Sequence, residues 1–427
     1  MRVLWLCNIM LPIIAQKLGY EASNKEGWLT GLSGALLAHR EESGICLGVC
    51  FPLDTGKEDV RFFGETDGIS YYGFREDVKN PERYEEALVR RLKSITQDFK
   101  PDIVHCFGTE YPHTLAMTKV VSKEKILIGL QGMCGECAAA YMADLPERIR
   151  NRFLLRDFLK HDNIALQQKK FAMRGQQEAE AIKGAGHLAG RTEFDRRVSG
   201  SINPKARYHV LNETLRPVFY KHKWQFAHCT PYRIFVSQGN YPLKGLHYLL
   251  WAMPGILARF PETTVYVAGD DITRFRTLKE KLKISSYGKY LRDEIGRCGL
   301  QDKVFFLGRL SAEEMCEAYL QSHVFVSASS MENSPNSVGE AMLLGMPVVS
   351  SKVGGTESLM TDEKEGLFYP HQDTAALTAA VCRIFEDASF AGKLGEQAGE
   401  RAALTHDPDM NYRQLTEIYQ AMAKKEE

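Results

Sequence analysis

The segment SSMENSPNSVGEAMLLGMPVVS, residues 329–350, concentrates groups that can act on a phosphorylated, hydroxylated ligand. A β-rich run ends near Ser327, a polar loop follows, and Pro335 with Asn336 gives good signals for a helix start. The free N–H groups of such a first turn, together with the helix dipole, make an anion site. Glu340 falls among Val338, Ala341, Met342, Leu343 and Leu344, so its carboxylate is predicted to be buried and to need partners. Ribose hydroxyls would suit it, and backbone donors are the competing partners. Glu332 lies in the loop nearer the anion site, either facing a ligand or simply solvated. Lys244 stands at the predicted start of a helix over 246–259. A cation there opposes the helix dipole unless both converge on one anion. The alternative is a solvated surface lysine.

These residues need a scaffold that brings strand ends and helix starts together. Short β-rich runs at 3–7, 45–51, 102–106 and 126–130 alternate with helical patterns at 28–39, 81–99 and 112–122. That alternation predicts a parallel sheet covered by helices. After an aperiodic, aromatic-rich stretch at 212–231, read as a linker, the pattern restarts. Strands are expected at 233–237, 263–268, 303–307, 324–327 and 347–349, with helices at 246–259, 312–321, 336–345 and 374–386. Helical stretches at 390–403 and 410–424 close the chain. Two doubly wound domains would place a substrate cleft between them, beyond the carboxyl ends of their strands.

Composition agrees with this class. A length of 427 residues favours two domains. Lys+Arg and Asp+Glu both number 54, which argues against a general nucleic-acid binder. Ten cysteines are too dilute for a disulfide-stapled module. No apolar run reaches the roughly 18–20 residues of a spanning helix. The start, MRVLWLCNIMLPIIAQ, is similar to a signal peptide, but Asn8 and Pro12 interrupt it and no clear cleavage site follows. It reads better as a first buried strand, and a cytoplasmic enzyme is the working class.

The Glu332-x7-Glu340 spacing within ENSPNSVGEAMLLGMPVVSSKVGGTES closely resembles the donor-site motif of retaining GT-B glycosyltransferases, specifically glycosyltransferase family 4, the group 1 type. The resemblance runs from Ile234 to Leu394 and includes IFVSQGNYPLKGLHYLLWAM, VYVAGDD and VFFLGRLSAEEM. The N-terminal half is similar more loosely, through strand order, PDIVH and GRTEFDRR. The resemblance implies two Rossmann-like domains facing each other across a cleft: 1–212 on the acceptor side, 213–395 binding the donor, and helices at 396–427 crossing back to the first. It implies that Glu340 holds ribose hydroxyls and Glu332 the hydroxyls of the transferred sugar. Backbone N–H groups around Asn336, Ser337 and Val338, with Lys244, would hold the diphosphate. Gly308, Arg309 and Leu310 would lie against the base. Gly27, in NKEGWLTGLSG, would belong to a Gly-rich loop facing the donor, although a simple turn is as good a reading. His105, at the end of its predicted strand, has the place of an acceptor-side catalytic histidine, or of a core or rim one. The chain departs from the family pattern at Gly239-Asn240, where an Arg is usual, and at Gln131, where many members carry His. A glutamine cannot serve as a general base. The family's front-face substitution, in which the donor phosphate takes the acceptor proton, tolerates that change.

Other signals carry less. Cys134 and Cys137 form a lone C-x-x-C, weak evidence for zinc. Gly184, Gly186 and Ala189 match a dinucleotide pattern, but after a predicted helix rather than a strand. Asp407-Pro408-Asp409 reads as a helix start, and no metal is expected. Residues 145–174 hold eight Lys/Arg, with Ile149, Phe153, Leu154 and Phe158 interspersed at helical spacing. A basic amphipathic helix of that kind can lie on an anionic membrane. The expected protein is a retaining, metal-independent hexosyltransferase without a cofactor. It would use a nucleotide-diphosphate sugar, a UDP-sugar being favoured, and a sugar or lipid-linked acceptor in polysaccharide or glycolipid synthesis. It would be cytoplasmic, with peripheral contact at the inner face of the membrane through 145–174. A non-catalytic nucleotide-sugar-binding subunit and a sugar-nucleotide epimerase are the other readings.

Overall fold

The structure is a computed structural model, and it describes residues 1–20, 27–53 and 62–424. Its contacts divide into two units: residues 1–136, 171–215 and 406–427, and residues 137–170 with 216–405. The chain passes from the first unit to the second between residues 215 and 216. Two segments change sides, however: 137–170 packs with the second unit and 406–427 with the first.

The first unit carries an eight-stranded sheet. Its strands are β1 (Arg2–Leu6), β2 (Cys46–Leu53), β3 (Phe62–Thr66), β4 (Ile69–Arg75), β5 (Ile103–Phe107), β6 (Ile126–Gly129), β7 (His187–Gly190) and β8 (Arg207–Val210), in the order β3-β4-β2-β1-β5-β6-β7-β8. All neighbours pair in parallel except β3 and β4, an antiparallel edge pair. The interior strands β1, β5 and β6 are near-continuous apolar runs, as strands buried on both faces must be. The final helix, Pro408–Ala423, joins this core through Tyr419, whose hydroxyl accepts a 2.9 Å bond from Trp5 Nε1. Asp407 caps that helix by accepting from the Met410 N–H at 2.8 Å.

The second unit carries six parallel strands: β9 (Thr230–Val236), β10 (Thr264–Val267), β11 (Val304–Phe306), β12 (Ser322–Ser327), β13 (Val348–Ser351) and β14 (Leu367–Tyr369). Their order is β11-β10-β9-β12-β13-β14. The stretch expected as a linker, 212–231, is packed structure. Phe219 is fully buried, and Trp224 donates from its backbone to Leu344 O and from its indole to Ser322 O. The stretch shows no period because Phe219 and Trp224 fill separate gaps while Phe226 beyond them stays 44% exposed. Residues 145–174 are likewise not one amphipathic helix. They break into Glu147–Arg150, Leu155–Lys160 and the start of Ile164–Lys183. Ile149 is buried, and Asp157, with no exposed surface, accepts from the Ser286 N–H at 3.2 Å and from the Ser286 hydroxyl. A buried carboxylate tied to another helix fixes this segment to the second unit.

Candidate active site in the second unit

The ends of β9 and β12 place the predicted residues together. After β9 the chain makes a short 3-10 turn, Pro242–Lys244, and Gly245 turns left-handed (φ 65°) before helix Leu246–Arg259. A side chain at Gly245 would strike the carbonyl of Ala328, so only glycine lets this turn approach the end of β12. The Ser330 N–H donates to Leu243 O at 2.7 Å, and the Ser351 hydroxyl donates to Ser329 O at 2.6 Å. The loop that carries Glu332 is thereby tied on both sides.

Lys244 Nζ lies 2.6 Å from Glu332 Oε1, which also accepts from the Ser329 hydroxyl at 2.7 Å. Burial alone would lower the Lys244 ammonium. The adjoining Glu332 carboxylate and the Tyr241 phenol outweigh it and hold the lysine above its usual value. Lys244 is therefore a fixed cation. Behind Glu332, its carbonyl accepts from Gly355 N at 2.9 Å, and a side chain at Gly354 (φ 52°) would overlap that carbonyl. Helix Asn336–Leu344 begins just beyond, with Pro335 at its cap position and no side chain capping it. Ser337 O accepts from the Tyr319 hydroxyl at 2.9 Å, and Val338 is buried. A cation and a helix start without a side-chain cap stand in one loop cluster, a suitable arrangement for an anionic ligand.

Glu340 is 5% exposed and is held by Arg216 in a bidentate pair, Nε to Oε1 at 2.6 Å and Nη2 to Oε2 at 2.7 Å. Burial pushes the carboxyl up and the guanidinium pulls it back, leaving it above the ordinary range. Arg216 itself is raised: burial lowers it, and Glu340 more than compensates. The sequence reading offered Glu340 only ribose or backbone partners. Arg216 was missed because it lies in the stretch taken as a linker, although an Arg directly before Pro217 and aromatic Phe219 was the available signal.

The remaining predicted residues are less central. A side chain at Gly239 would collide with Leu246 and Val267, which makes Gly239 a packing residue. Asn240 is exposed. Arg309 is 85% exposed and pairs with Asp270, Nη2 to Oδ2 at 2.9 Å, beside a bridge between Gly269 and Gly308. Leu310 lines a cavity of about 530 Å³ with Val218, Leu307, Glu313 and Cys316.

In the first unit, Gly27 opens helix Gly27–Ala38, and the preceding residues 21–26 of the NKEG loop lie outside the described residues. His105 has no exposed surface. Its Nδ1 bonds the Tyr419 hydroxyl at 2.7 Å, its ring stacks on Phe107, and burial lowers it to about 3. It is a neutral histidine packed in the first unit, lining a cavity with Gln131 and Glu213. Gln131 donates to Glu213 at 2.5 Å, and Glu213 pairs with Arg191 at 2.6 Å. Among the described residues, no three His, Cys, Asp or Glu side chains converge as a metal site, and no helix is long and apolar enough to cross a membrane.

Two mostly parallel sheets, each with its helices, define a two-domain α/β protein of the GT-B class. Solved structures agree. Sucrose-phosphate synthase from Thermosynechococcus elongatus superposes with a TM-score of 0.71, covering 99% of both chains at 16% identity. Anabaena HepE in complex with UDP gives 0.64, covering 99% of this chain and 100% of that one at 15% identity. Residues 219–402, which contain all the second-unit site residues except Arg216, match the family model for glycosyl transferases group 1. The chain is 27% identical over 186 residues to D-inositol 3-phosphate glycosyltransferase of Corynebacterium urealyticum, 42% of this chain and 41% of that protein. It is 25% identical over 191 residues to phosphatidyl-myo-inositol mannosyltransferase of Mycobacterium leprae, 44% of this chain and 46% of that one. The matched region thus spans less than half the length of these curated relatives.

Proposed function

We propose that the protein is a retaining glycosyltransferase of family 4, moving a hexose-type sugar from a nucleotide-diphosphate donor, a UDP-sugar being favoured, to an acceptor hydroxyl. The observation that carries this reading is the Lys244–Glu332 pair set beside the start of helix Asn336–Leu344, with the buried Glu340 in that same helix. In the proposed roles, the Lys244 ammonium and the first-turn N–H groups at Asn336 and Ser337 hold the diphosphate, the Val338 N–H being already given to Pro335 O at 3.0 Å. They stabilise its charge as the bond from the anomeric carbon to the phosphate oxygen breaks. No metal is then needed to neutralise the leaving group. Glu332 turns from Lys244 to sugar hydroxyls. Glu340, already charge-compensated by Arg216, has lone pairs left for ribose hydroxyls. The departing phosphate oxygen takes the acceptor proton, so Gln131 need not act as a base. The relatives that act on inositol-containing acceptors make a polyhydroxylated or lipid-linked acceptor, in envelope polysaccharide or glycolipid synthesis, the favoured class.

The test is donor turnover. The protein is incubated with UDP-, GDP-, ADP- and TDP-hexoses in the presence of a chelator, and release of the nucleotide is followed with and without simple sugars and polyols. Release with one donor, lost in Lys244→Ala, supports the proposal. Nucleotide binding without any release points instead to a non-catalytic binding subunit, and conversion to a second sugar nucleotide without acceptor points to an epimerase.

A further inference from the structure

The second unit exposes large apolar side chains where a folded protein has no reason to show them. Phe158 is 60% exposed, Leu159 69% and Leu278 74%, with Phe153 and Leu282 beside them. They sit on two short helices, Leu155–Lys160 and Leu278–Lys283, that pack next to each other. Phe153 and Phe158 meet edge to face at 6.2 Å. Helix Leu278–Lys283 buries none of its residues. Leu278 and Leu282, one turn apart, form an apolar stripe on the same helix face that nothing in the unit covers. A contiguous apolar face rimmed by polar residues marks an interaction surface.

The rim is cationic. Lys160, Lys279, Lys281 and Lys283 lie exposed on the same two short helices, and among the described residues no carboxylate pairs with Lys160, Lys279 or Lys283. The acids of these helices are already engaged. Asp157 is buried against Ser286, and Glu280 accepts the N–H groups of Arg276 and Thr277 in a capping box. Unpaired lysines around protruding Phe and Leu complement an interface that is anionic outside and apolar within. We propose that this two-helix face docks the protein on an anionic lipid membrane, with Phe158, Leu159, Leu278 and Leu282 entering the headgroup region. Arg152 and Arg156 are not the contacting cations. They pair with Asp293 at 3.6 Å and with Asp162 at 2.5 Å, and they hold the segment in place. Half of the face, 278–283, lies more than a hundred residues along the chain from the other half, so no single amphipathic stretch announces it. Docking here is independent of which donor the site binds.

The test uses the full chain and sedimentation with vesicles of phosphatidylcholine alone or mixed with phosphatidylglycerol. The wild type is expected to partition onto the mixed vesicles, weakly or not at all onto phosphatidylcholine, and to be released by salt. Leu278→Ser with Leu282→Ser, and separately Lys279→Glu with Lys283→Glu, should each lower partitioning at least tenfold. All four positions are exposed, so circular dichroism should be unchanged. Wild-type protein that ignores anionic vesicles overturns the proposal, and so do variants that bind as well as wild type. If the leucine variant instead converts a dimer to a monomer without changing vesicle binding, the face is a contact between copies and the proposal fails.

Discussion

Arg216→Met is the sharpest perturbation of the site. It removes both hydrogen bonds to Glu340 and leaves a carboxylate that is 5% exposed beside apolar neighbours. Breaking one side of a buried pair costs about 3–5 kcal/mol. The Arg216 side chain keeps 18% exposure, so water reaches one side, and about 3 kcal/mol, the low end, is expected. The sign with pH follows from burial, which already raises Glu340 despite the guanidinium. Without Arg216 the carboxyl rises further, and the variant takes up a proton on folding over a wider pH range than the wild type. The deficit should therefore be largest at neutral and alkaline pH, and it should shrink as the pH falls through the variant's carboxyl pKa. The assay is urea unfolding followed by fluorescence, read at the transition of the second unit because a two-domain chain need not unfold in one step. Arg216→Met with Glu340→Leu should recover most of the loss, since an apolar pair leaves no buried charge. A loss below about 1 kcal/mol, or one that is flat with pH, would refute the view that Glu340 depends on Arg216.

Four further outcomes follow. Glu332→Ala should cut donor turnover sharply while leaving nucleotide binding largely intact, whereas Glu340→Ala should weaken nucleotide binding first. The reverse ranking in kinetics and calorimetry contradicts the assigned roles. Gly354→Ala places a side chain against the Glu332 carbonyl at a positive φ, and it should lose about 1–3 kcal/mol by thermal melting together with donor turnover. In the first unit, burial raises Glu178 to about 7 although Thr109 and the Cys134 and Gly135 N–H groups bond it. A raised carboxyl stabilises the fold below its unfolded value near 4.5 and loses that contribution as the pH climbs to about 7, on the order of 3 kcal/mol. Glu178→Gln should flatten that slope in pH-dependent melting. His105→Phe should cost stability by leaving the Tyr419 O–H donor unpaired (about 1–3 kcal/mol), while the bond from Trp5 stays, with turnover per folded molecule unchanged.

The sequence made the second unit legible because its signals are local. Helices Leu246–Arg259 and Thr374–Glu386 begin and end at their expected residues, and Asn336–Leu344 starts where Pro335 and Asn336 point. The neighbourhood of Lys244, Glu332 and Glu340 follows from two adjacent strand ends, β9 and β12, that parallel topology brings together. What local pattern could not supply was partners distant in sequence. Arg216 reaches Glu340 across 124 positions, and Tyr419 reaches His105 across 314. His105 could not be placed as core or rim from its strand alone, because the ring that closes over it belongs to the last helix. Strands β7, β8 and β14 are only three or four residues long, too short to show a period. The antiparallel β3–β4 pair lay inside a stretch without a clear run. The two-helix apolar face joins segments that only the fold brings side by side.

A nucleotide-diphosphate site at Lys244, Glu332 and Glu340 is tested by a thermal-shift screen of the whole protein with UDP, GDP, ADP and TDP, each in the presence of a chelator. Ligand that binds only the folded state raises the melting temperature by mass action. A clear shift with one nucleotide, UDP being favoured, is expected, lost in Glu340→Ala and reduced in Lys244→Ala. No shift with any of the four, or a shift that survives both substitutions, contradicts a nucleotide-diphosphate site at Lys244, Glu332 and Glu340.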